Sequence, residues 1–581
     1  MGKKVAELEA LLTQDDAASW VSNLWDRYNN QRLGKVEEWK ELRNFLFATD
    51  TTTTTNATLP WKNSTTLPKL CQIRDNLHSN YVSALFPNDD WVRWEAYSQK
   101  DAAKKKAKAI EAYIKNKARE ANFRSEISKL LYDYIDYGNA FVTVTYENNS
   151  KMGEDGIPIP GYIGPRPIRI SPLDIVFNPM ASSFEDSFKV IRSLKTVGEL
   201  KAMAQDEPEN AFLADAVARR DFLQKTLGGY SKEDFDKAVG YSADGFGSYY
   251  EYLLSDYVEI LEFYGDYHDK TTGMLHRDKV ITVVDRAITI REQDIPSWFA
   301  RAPIYHVGWR FRPDNLWAMG PLDNLVGMQY RIDHLENLKA DAMDLSVHPP
   351  LVIAGEVEEF AWGPGAEIHV DETGSVQELG KNLNGVIAAA NEIAALEERM
   401  EMYAGAPRNA MGIRTPGEKT AFEVNQLQNA AGRIFQEKIT HFEVEILEKL
   451  LNAMVETARR NMDGFDVVRV MDDDLGVKSF MQVTKEDITA RGHVRPIGAR
   501  HFAAQAQIMQ NLTAIFSSPV GQMIAPHTSS LQLMGLVEDI MGLERYQLFK
   551  ANVAVKEQKE TQRAVENAQE DLDTERNIPV E

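Results

Sequence analysis

The order of segments in the second half of the chain constrains the fold most strongly. A helical pattern of roughly 27 residues runs from Pro321 to about Val347, which is about 40 Å at 1.5 Å per residue. It ends at Pro349-Pro350, because proline cannot continue a helix. Short apolar runs follow, and a second helical pattern begins at about Asn384 and ends near Tyr403. This order predicts two long helices with a small β-rich module between them.

The second predicted helix leads into an irregular loop and then into a third helix. Gly405-Ala406-Pro407 ends the second helix, and Gly412, Pro416 and Gly417 keep the following segment irregular. The third helix is predicted from about residue 421 to residue 461, and strand-like pieces follow at 466–471 and 480–484. The last 80 or so residues are predicted to be helical, with a charged end.

The first half of the chain predicts a mixture of helices and strands. Helices are predicted at about 5–47, at a segment that closes at Pro87, and at 101–121, 127–137, 196–205 and much of 206–248. Strands are predicted at 141–146, 168–170, 174–177, 258–267 and 279–291. A polar low-complexity segment at 51–58 is interpreted as a loop. The fold class is therefore predicted as α+β, mainly α.

Both helices around the β-rich module carry a narrow apolar stripe, which is typical of a helix packed beside another helix. The first stripe consists of Leu322, Leu325, Met328, Ile332, Leu335 and Ala342, and the second of Val386, Ala389, Ile393, Leu396, Met400 and Tyr403. The remaining faces are predicted to be charged and exposed. Their acidic residues include Asp333 on the first helix and Glu392, Glu397, Glu398 and Glu401 on the second.

Composition limits the possible settings of the chain. The formal net charge is −22, so the protein as a whole would repel DNA. Two interpretations follow: an acidic protein with no nucleic-acid role, which composition alone favours, or one that lets DNA pass without holding it. Cys71 is the single cysteine, so no disulfide framework is expected, and no apolar run is long enough for a membrane span.

Catalytic and metal-binding motifs are weak. The segment from Gly412 to Thr420 resembles a phosphate-binding loop, but Glu418 separates Gly417 from Lys419, and a helix rather than a strand precedes it. His268 and His276, near Asp266 and Asp269, are scattered histidines, which more often cap turns than bind metal. Asp133 and Asp136 are interpreted as the polar face of a helix. No cofactor, metal or enzymatic activity is predicted.

Several stretches, in this order, resemble the portal proteins of tailed bacteriophages. These stretches are LPWKNSTTLPKLCQIRDNLHSNYVSALFP at 59–87, PRPIRISPLDIVFNPMASSFEDS at 165–187 and WAMGPLDNLVGMQYRIDHLENLKADAMDLSVHPPLVI at 317–353. The order of helix, β module, helix, loop and very long helix is similar to the stem, clip, stem, tunnel loop and wing helix of podophage-type portals. None of these stretches is a strict signature. The match covers most of residues 59–461, and the last 120 residues match loosely.

The resemblance implies a domain order. A mixed α/β wing region would occupy 1–320, stem helices 321–347 and 384–405, and the clip 348–383. The tunnel loop would occupy 406–420, the long wing helix and its strands 421–500, and a C-terminal helical crown with a charged tail 501–581. Within this scheme Arg408, Arg414 and Lys419 would touch DNA phosphates in the channel, and Phe360 and Trp362 would serve partner docking on the clip.

The resemblance also implies partners. The chain would form a ring, typically of twelve copies, at one capsid vertex of the virion, after assembly in the host cytoplasm. Double-stranded DNA would pass through it without sequence recognition. Terminase, the major capsid or scaffolding protein, and head–tail adaptor and tail proteins would dock on it. The alternatives that stay open are a cytoplasmic enzyme with an unrecognised active site and another ring-forming virion adaptor.

Overall fold

The computed structural model describes residues 16–47, 65–86, 91–96, 101–149, 151–152, 158–159, 161–227, 256–268, 273–295, 302–347, 351–354, 375–378, 384–405, 434–462, 465–471, 478–489 and 492–496. The predictions for 51–58, for the tunnel loop at 406–420 and for the C-terminal crown at 501–581 lie outside these residues.

The helices are α1 Asp16–Gln31, α2 Leu33–Phe47, α3 Lys69–Leu85, α4 Asp101–Glu120, α5 Phe123–Asp136, α6 Val197–Asp206, α7 Ala211–Leu227, α8 Val326–Val347, α9 Asn384–Tyr403, α10 at 434–461 and α11 Lys485–Ile488. The strands are β1 Val92–Ala96, β2 Asn139–Asn148, β3 Lys151–Met152, β4 Pro158–Ile159, β5 Ile163–Ile170, β6 Ile175–Phe177, β7 Lys189–Thr196, β8 Tyr257–His268, β9 Leu275–Val284, β10 Ile288–Asp294, β11 Ile304–Gly308, β12 Arg310–Arg312, β13 Asn315–Met319, β14 Leu351–Ala354, β15 Ser375–Glu378, β16 Phe465–Met471, β17 Lys478–Thr484 and β18 Gly492–Pro496. Helix predominates among the described residues, which confirms the α+β, mainly α class.

An antiparallel five-stranded sheet forms one layer of the first half, in the order β10-β9-β8-β7-β6. Helix α1 packs on it through Ala18, Val21 and Trp25, which are fully buried against Leu261 and Phe263. Between α1 and α2 Arg32 turns inward, and its guanidinium donates to the carbonyls of residues 172 and 175 at 2.6 and 2.7 Å. The stretch predicted as helical at 5–47 forms the two helices α1 and α2 where the structure describes it, from residue 16 on.

The largest core lies beside a second sheet of order β11-β2-β5. Helices α3, α4 and α5 and the long helix α10 meet there through buried residues such as Tyr81, Ile114, Tyr134 and Phe442. Helix α10 contains a π-helical segment at Glu443–Glu448. The predicted helices that close at Pro87 and run over 101–121 and 127–137 are confirmed as α3, α4 and α5, because each keeps one apolar face toward this core.

One strand prediction is wrong. The continuous strand predicted at 279–291 is the hairpin β9–β10, in which Val284 pairs with Ile288. The chain reverses at Asp285 and Arg286, whose φ angles are 52° and 54°. Two residues in the left-handed region form the tight turn that suits the twist of a hairpin. Neither residue is a glycine, which would have marked this turn in the sequence. The side chain of Asp285 forms an ion pair with Arg220, and that of Arg286 forms one with Glu259.

Candidate functional site

The two predicted stem helices form an antiparallel pair. A 3₁₀ turn at Asp323–Leu325 precedes α8, and α9 begins and ends at the predicted residues, Asn384 and Tyr403. At the far end of the pair β14 and β15 form a two-stranded antiparallel ribbon, in which Leu351 lies opposite Glu378. We call residues 321–347, 351–354, 375–378 and 384–405, which contain α8, α9, β14 and β15, the stalk. The predicted order of helix, β module and helix is confirmed for the described residues.

The base of the stalk, residues 321–337 and 393–405, is part of the main core. Leu322, Leu325, Ile332 and Leu335 are buried on the α8 side, with Ile393 and Met400 facing them from α9 in the same apolar cluster. This confirms these six residues of the two predicted stripes. The stripe prediction is wrong for Tyr403, which is 60% exposed because α9 ends there, beyond the last turn that packs on the core.

The distal half of the stalk, residues 338–347, 351–354, 375–378 and 384–392, is different. None of its residues whose burial the structure describes is buried. Several large apolar side chains are between 42% and 61% exposed, namely Leu338, Met343, Val352 and Ile387. Ten residues of helix span about 15 Å. The distal half is thus a projection of about that length with apolar side chains in solvent.

Only some residues of the predicted acidic face of α9 are exposed. Glu398 is exposed and Glu397 half-buried, while Glu392 forms an ion pair with Arg331 of α8 at 3.2 Å. The prediction is wrong for Glu401, which is buried and accepts a hydrogen bond from Lys69 Nζ at 2.6 Å. Lys69 begins α3, and its side chain is equally buried, so this ion pair joins α3 to the second stalk helix.

The prediction is also wrong for Asp333, which was expected on an exposed charged face. It is fully buried, and its Oδ1 accepts hydrogen bonds from the Leu67 amide at 2.9 Å and from Gln329 Nε2 at 2.8 Å. Burial raises the pKa of this carboxyl to about 6, although the bonds from Leu67 and Gln329 act in the opposite direction. The spacing of Gln329, Asp333 and Asn337 by four residues was the available signal for a polar seam on one face of α8.

Asp133 and Asp136 are also buried rather than on a solvated polar face. Asp133 accepts from Arg169 Nη2 at 2.7 Å, and Asp136 accepts from Arg74 at 2.7 and 2.8 Å. Burial raises the pKa of Asp136, and the Arg74 guanidinium opposes that shift. Two-pronged carboxylate–guanidinium contacts fix orientation, so these pairs tie α5 to α3 and β5.

A cleft of about 340 Å³ lies between α1, α2 and the strand at 315–319. Arg32 and Lys35 line it, but Arg32 is bonded to backbone carbonyls and Lys35 to Glu38 and Asp323 at 2.8 Å each. Arg32 and Lys35 are therefore already engaged within the chain, and the third cation that lines the cleft, Arg312, is exposed and donates to Met319 Sδ at 3.4 Å.

The other predicted site residues divide into two groups. His268 and His276 lie on neighbouring strands, but within the described part of the chain no three His, Cys, Asp or Glu side chains group closely enough to hold a metal. Arg408, Arg414, Lys419, Phe360 and Trp362 lie outside the described residues. Within the described residues, no helix is both long and apolar enough to span a bilayer.

No protein-family model matches this sequence, and no curated protein matches it. A proposal of function therefore depends on the stalk geometry and the residues described above.

Proposed function

We propose that this chain is one subunit of a portal ring of a tailed bacteriophage. The ring would form the channel at one capsid vertex through which double-stranded DNA is packaged, retained and ejected. It would dock terminase during packaging, the capsid or scaffolding protein at the vertex, and head–tail adaptor and tail proteins afterwards. The subunit itself would have no catalytic role.

The observation that carries the proposal is the exposed distal half of the stalk. Exposed apolar patches commonly mark protein–protein interfaces. Here the exposed apolar side chains occur on both helices of the pair, at Leu338 and Met343 on α8 and at Ile387 on α9. A closed ring joins one face of each subunit to a different face of the next one, so neighbouring subunits would cover such side chains.

Charge supports a channel role. With a net charge of −22, the chain offers DNA little general attraction, so a duplex could slide along acidic walls. Glu397 and Glu398, together with the paired Glu392, would contribute to those walls. Arg408, Arg414 and Lys419 would supply weak phosphate contacts that are screened within about 8 Å at physiological salt. Phe360 and Trp362 would anchor partners at the clip.

The test is the assembly state of the purified chain. Negative-stain images and native mass spectrometry are expected to show closed rings of roughly twelve copies with a central hole. Ile387→Asp is expected to reduce assembly, because it places a charge at an apolar contact. Phe212→Asp is the matched control, since Phe212 is also 61% exposed but lies on α7, outside the stalk.

Two results would contradict the proposal. A chain that stays monomeric at high concentration would exclude the ring. ATP turnover that disappears in Lys419→Ala would favour the alternative of an enzyme, with the segment at Gly412–Thr420 as its nucleotide site.

A further inference from the structure

A short irregular segment, Thr65–Pro68, lies along the base of the stalk, and we call it the strap. Its backbone is held by side chains of α8. The Thr65 amide donates to Asn337 Oδ1 at 2.8 Å and the Leu67 amide to Asp333 Oδ1 at 2.9 Å. In return, Gln329 Nε2 donates to the Leu67 carbonyl at 2.6 Å. Gln329, Asp333 and Asn337, which follow one another at about one helical turn, thus hydrogen-bond to the backbone of the strap.

The strap lies between the base of the stalk and helix α3. Immediately after it, Lys69 begins α3 and pairs with Glu401 on α9. The strap and the first residue of α3 therefore bind both stalk helices at their base, α8 through Asp333 and α9 through Glu401. The contacts of the strap therefore help to join the base of the stalk to α3, together with the apolar core that the two share.

The hydrogen bonding of this seam is incomplete when Asp333 is ionised. Asp333 Oδ2 and Gln329 Oε1 are both buried and have no hydrogen-bond partner among the described residues. The two side chains are already joined, since Gln329 Nε2 donates to Asp333 Oδ1 at 2.8 Å. Two acceptors cannot bond to each other, and a buried acceptor without a donor is costly. One proton on the carboxyl turns Oδ2 into a donor, and Gln329 Oε1 on the adjoining side chain is an acceptor for it. Asn337 Nδ2 and Thr66 Oγ1 of the same seam are also buried without a partner, and the proton does not change them.

Among the residues that the structure describes, no cation compensates the carboxylate. Burial is the largest influence on its pKa, which is raised to about 6, and the other influences are the Leu67 amide and Gln329. The charged groups that flank the seam are engaged with other partners. They are Lys69 with Glu401, Glu336 with Lys339, Arg331 with Glu392, and Glu41 with the Tyr330 hydroxyl.

We propose that Asp333 is a proton-binding site that determines how firmly the side chains of α8 bind the strap. In the protonated state Oδ2–H donates to Gln329 Oε1, and the carboxylic acid, the amide and the Leu67 backbone form one closed hydrogen-bonded group. When the proton leaves to solvent, a buried anion remains and the strap is held less firmly. The inference does not depend on the ring, because every group in it belongs to one chain.

The sign of the pH effect follows from linkage. An aspartate in the unfolded chain loses its proton near its ordinary pKa of 3.8, while folded Asp333 keeps it until about pH 6. The stability that the bound proton contributes is fully present below the unfolded pKa. It is lost as the pH rises through the folded pKa.

The test compares the full chain with Asp333→Asn, whose amide can donate to Gln329 Oε1 and accept from Leu67 at every pH. From about pH 4.5 to about pH 7.5 the melting temperature of wild type is expected to fall relative to Asp333→Asn by a few degrees. Glu398→Gln, an exposed carboxylate on α9, is the matched control and is expected to show a constant difference from wild type. A constant difference for Asp333→Asn as well would overturn the proposal.

Hydrogen exchange of the peptide that contains the strap gives a second readout. After correction for intrinsic rates, protection of the strap amides in wild type is expected to decrease as the pH rises through about 6 and to stay level in Asp333→Asn. Asp333→Ala, if it folds, is expected to lose this protection at every pH. Wild-type protection that does not change with pH would mean that Asp333 has only a structural role.

Discussion

The two halves of the stalk have the same helices but different surroundings. At the base, Ile332 and Ile393 belong to the main core and Lys69 closes on Glu401. In the distal half, Leu338 and Ile387 have the same apolar character but remain in solvent. The apolar periodicity of a helix therefore does not decide whether it folds against its own chain or against another one. In this molecule one helix pair contains both a buried and an exposed apolar surface.

The largest difference between the halves is expected at their ion pairs. Lys69→Ala removes the cation that pairs with the buried Glu401, and breaking a buried pair of this kind costs about 3–5 kcal/mol. Urea unfolding of the full chain measures the loss. The double change Lys69→Met with Glu401→Met is the control, and it is expected to recover much of the stability because it removes both charges. A loss below about 1 kcal/mol for Lys69→Ala would mean that the pair is solvated like a surface pair.

A second contrast uses matched isoleucines on the two halves. Ile332→Ala is expected to lower the free energy of unfolding by about 2–5 kcal/mol, since it leaves a cavity in a packed core. Ile387→Ala is expected to change it by no more than about 0.5 kcal/mol, because the side chain is 61% exposed, while the yield of rings falls. Unfolding curves and native mass spectra of both variants separate the two effects. Equal losses of chain stability would show that the free chain covers its distal half.

Much of this architecture was readable from sequence because it is local. The bounds of α9 follow from an apolar stripe between Gly/Pro breaks. The change from α5 to β2 is predicted by Gly138-Asn139, which ends the helical pattern. Gly138 has φ +68°, and a Cβ there would lie 2.3 Å from the backbone nitrogen of Gly320, so the turn and the entry to the stalk fix each other.

Long-range partners account for the errors. The Leu67–Asp333 bond joins residues 266 positions apart and the Lys69–Glu401 pair joins residues 332 apart. Apolar periodicity alone predicts that any carboxylate off the apolar stripe is solvated. Asp333 and Glu401 were therefore expected on an exposed face. The hairpin turn at Asp285-Arg286 was missed for a different reason: its left-handed residues are held by distant ion pairs rather than favoured by glycine.

The smallest expected effect is at the Arg331–Glu392 pair, which bridges the two helices where the base gives way to the distal half. Both side chains are about half exposed, so water and salt screen their attraction. Arg331→Ala is expected to lower the free energy of unfolding by no more than about 1 kcal/mol at low ionic strength, and by less at high ionic strength. Urea unfolding at about 0.02 M and about 0.5 M salt measures both values. A larger loss that salt leaves unchanged would require the pair to be shielded from solvent. The base would then include Glu392 on α9 in addition to residues 393–405.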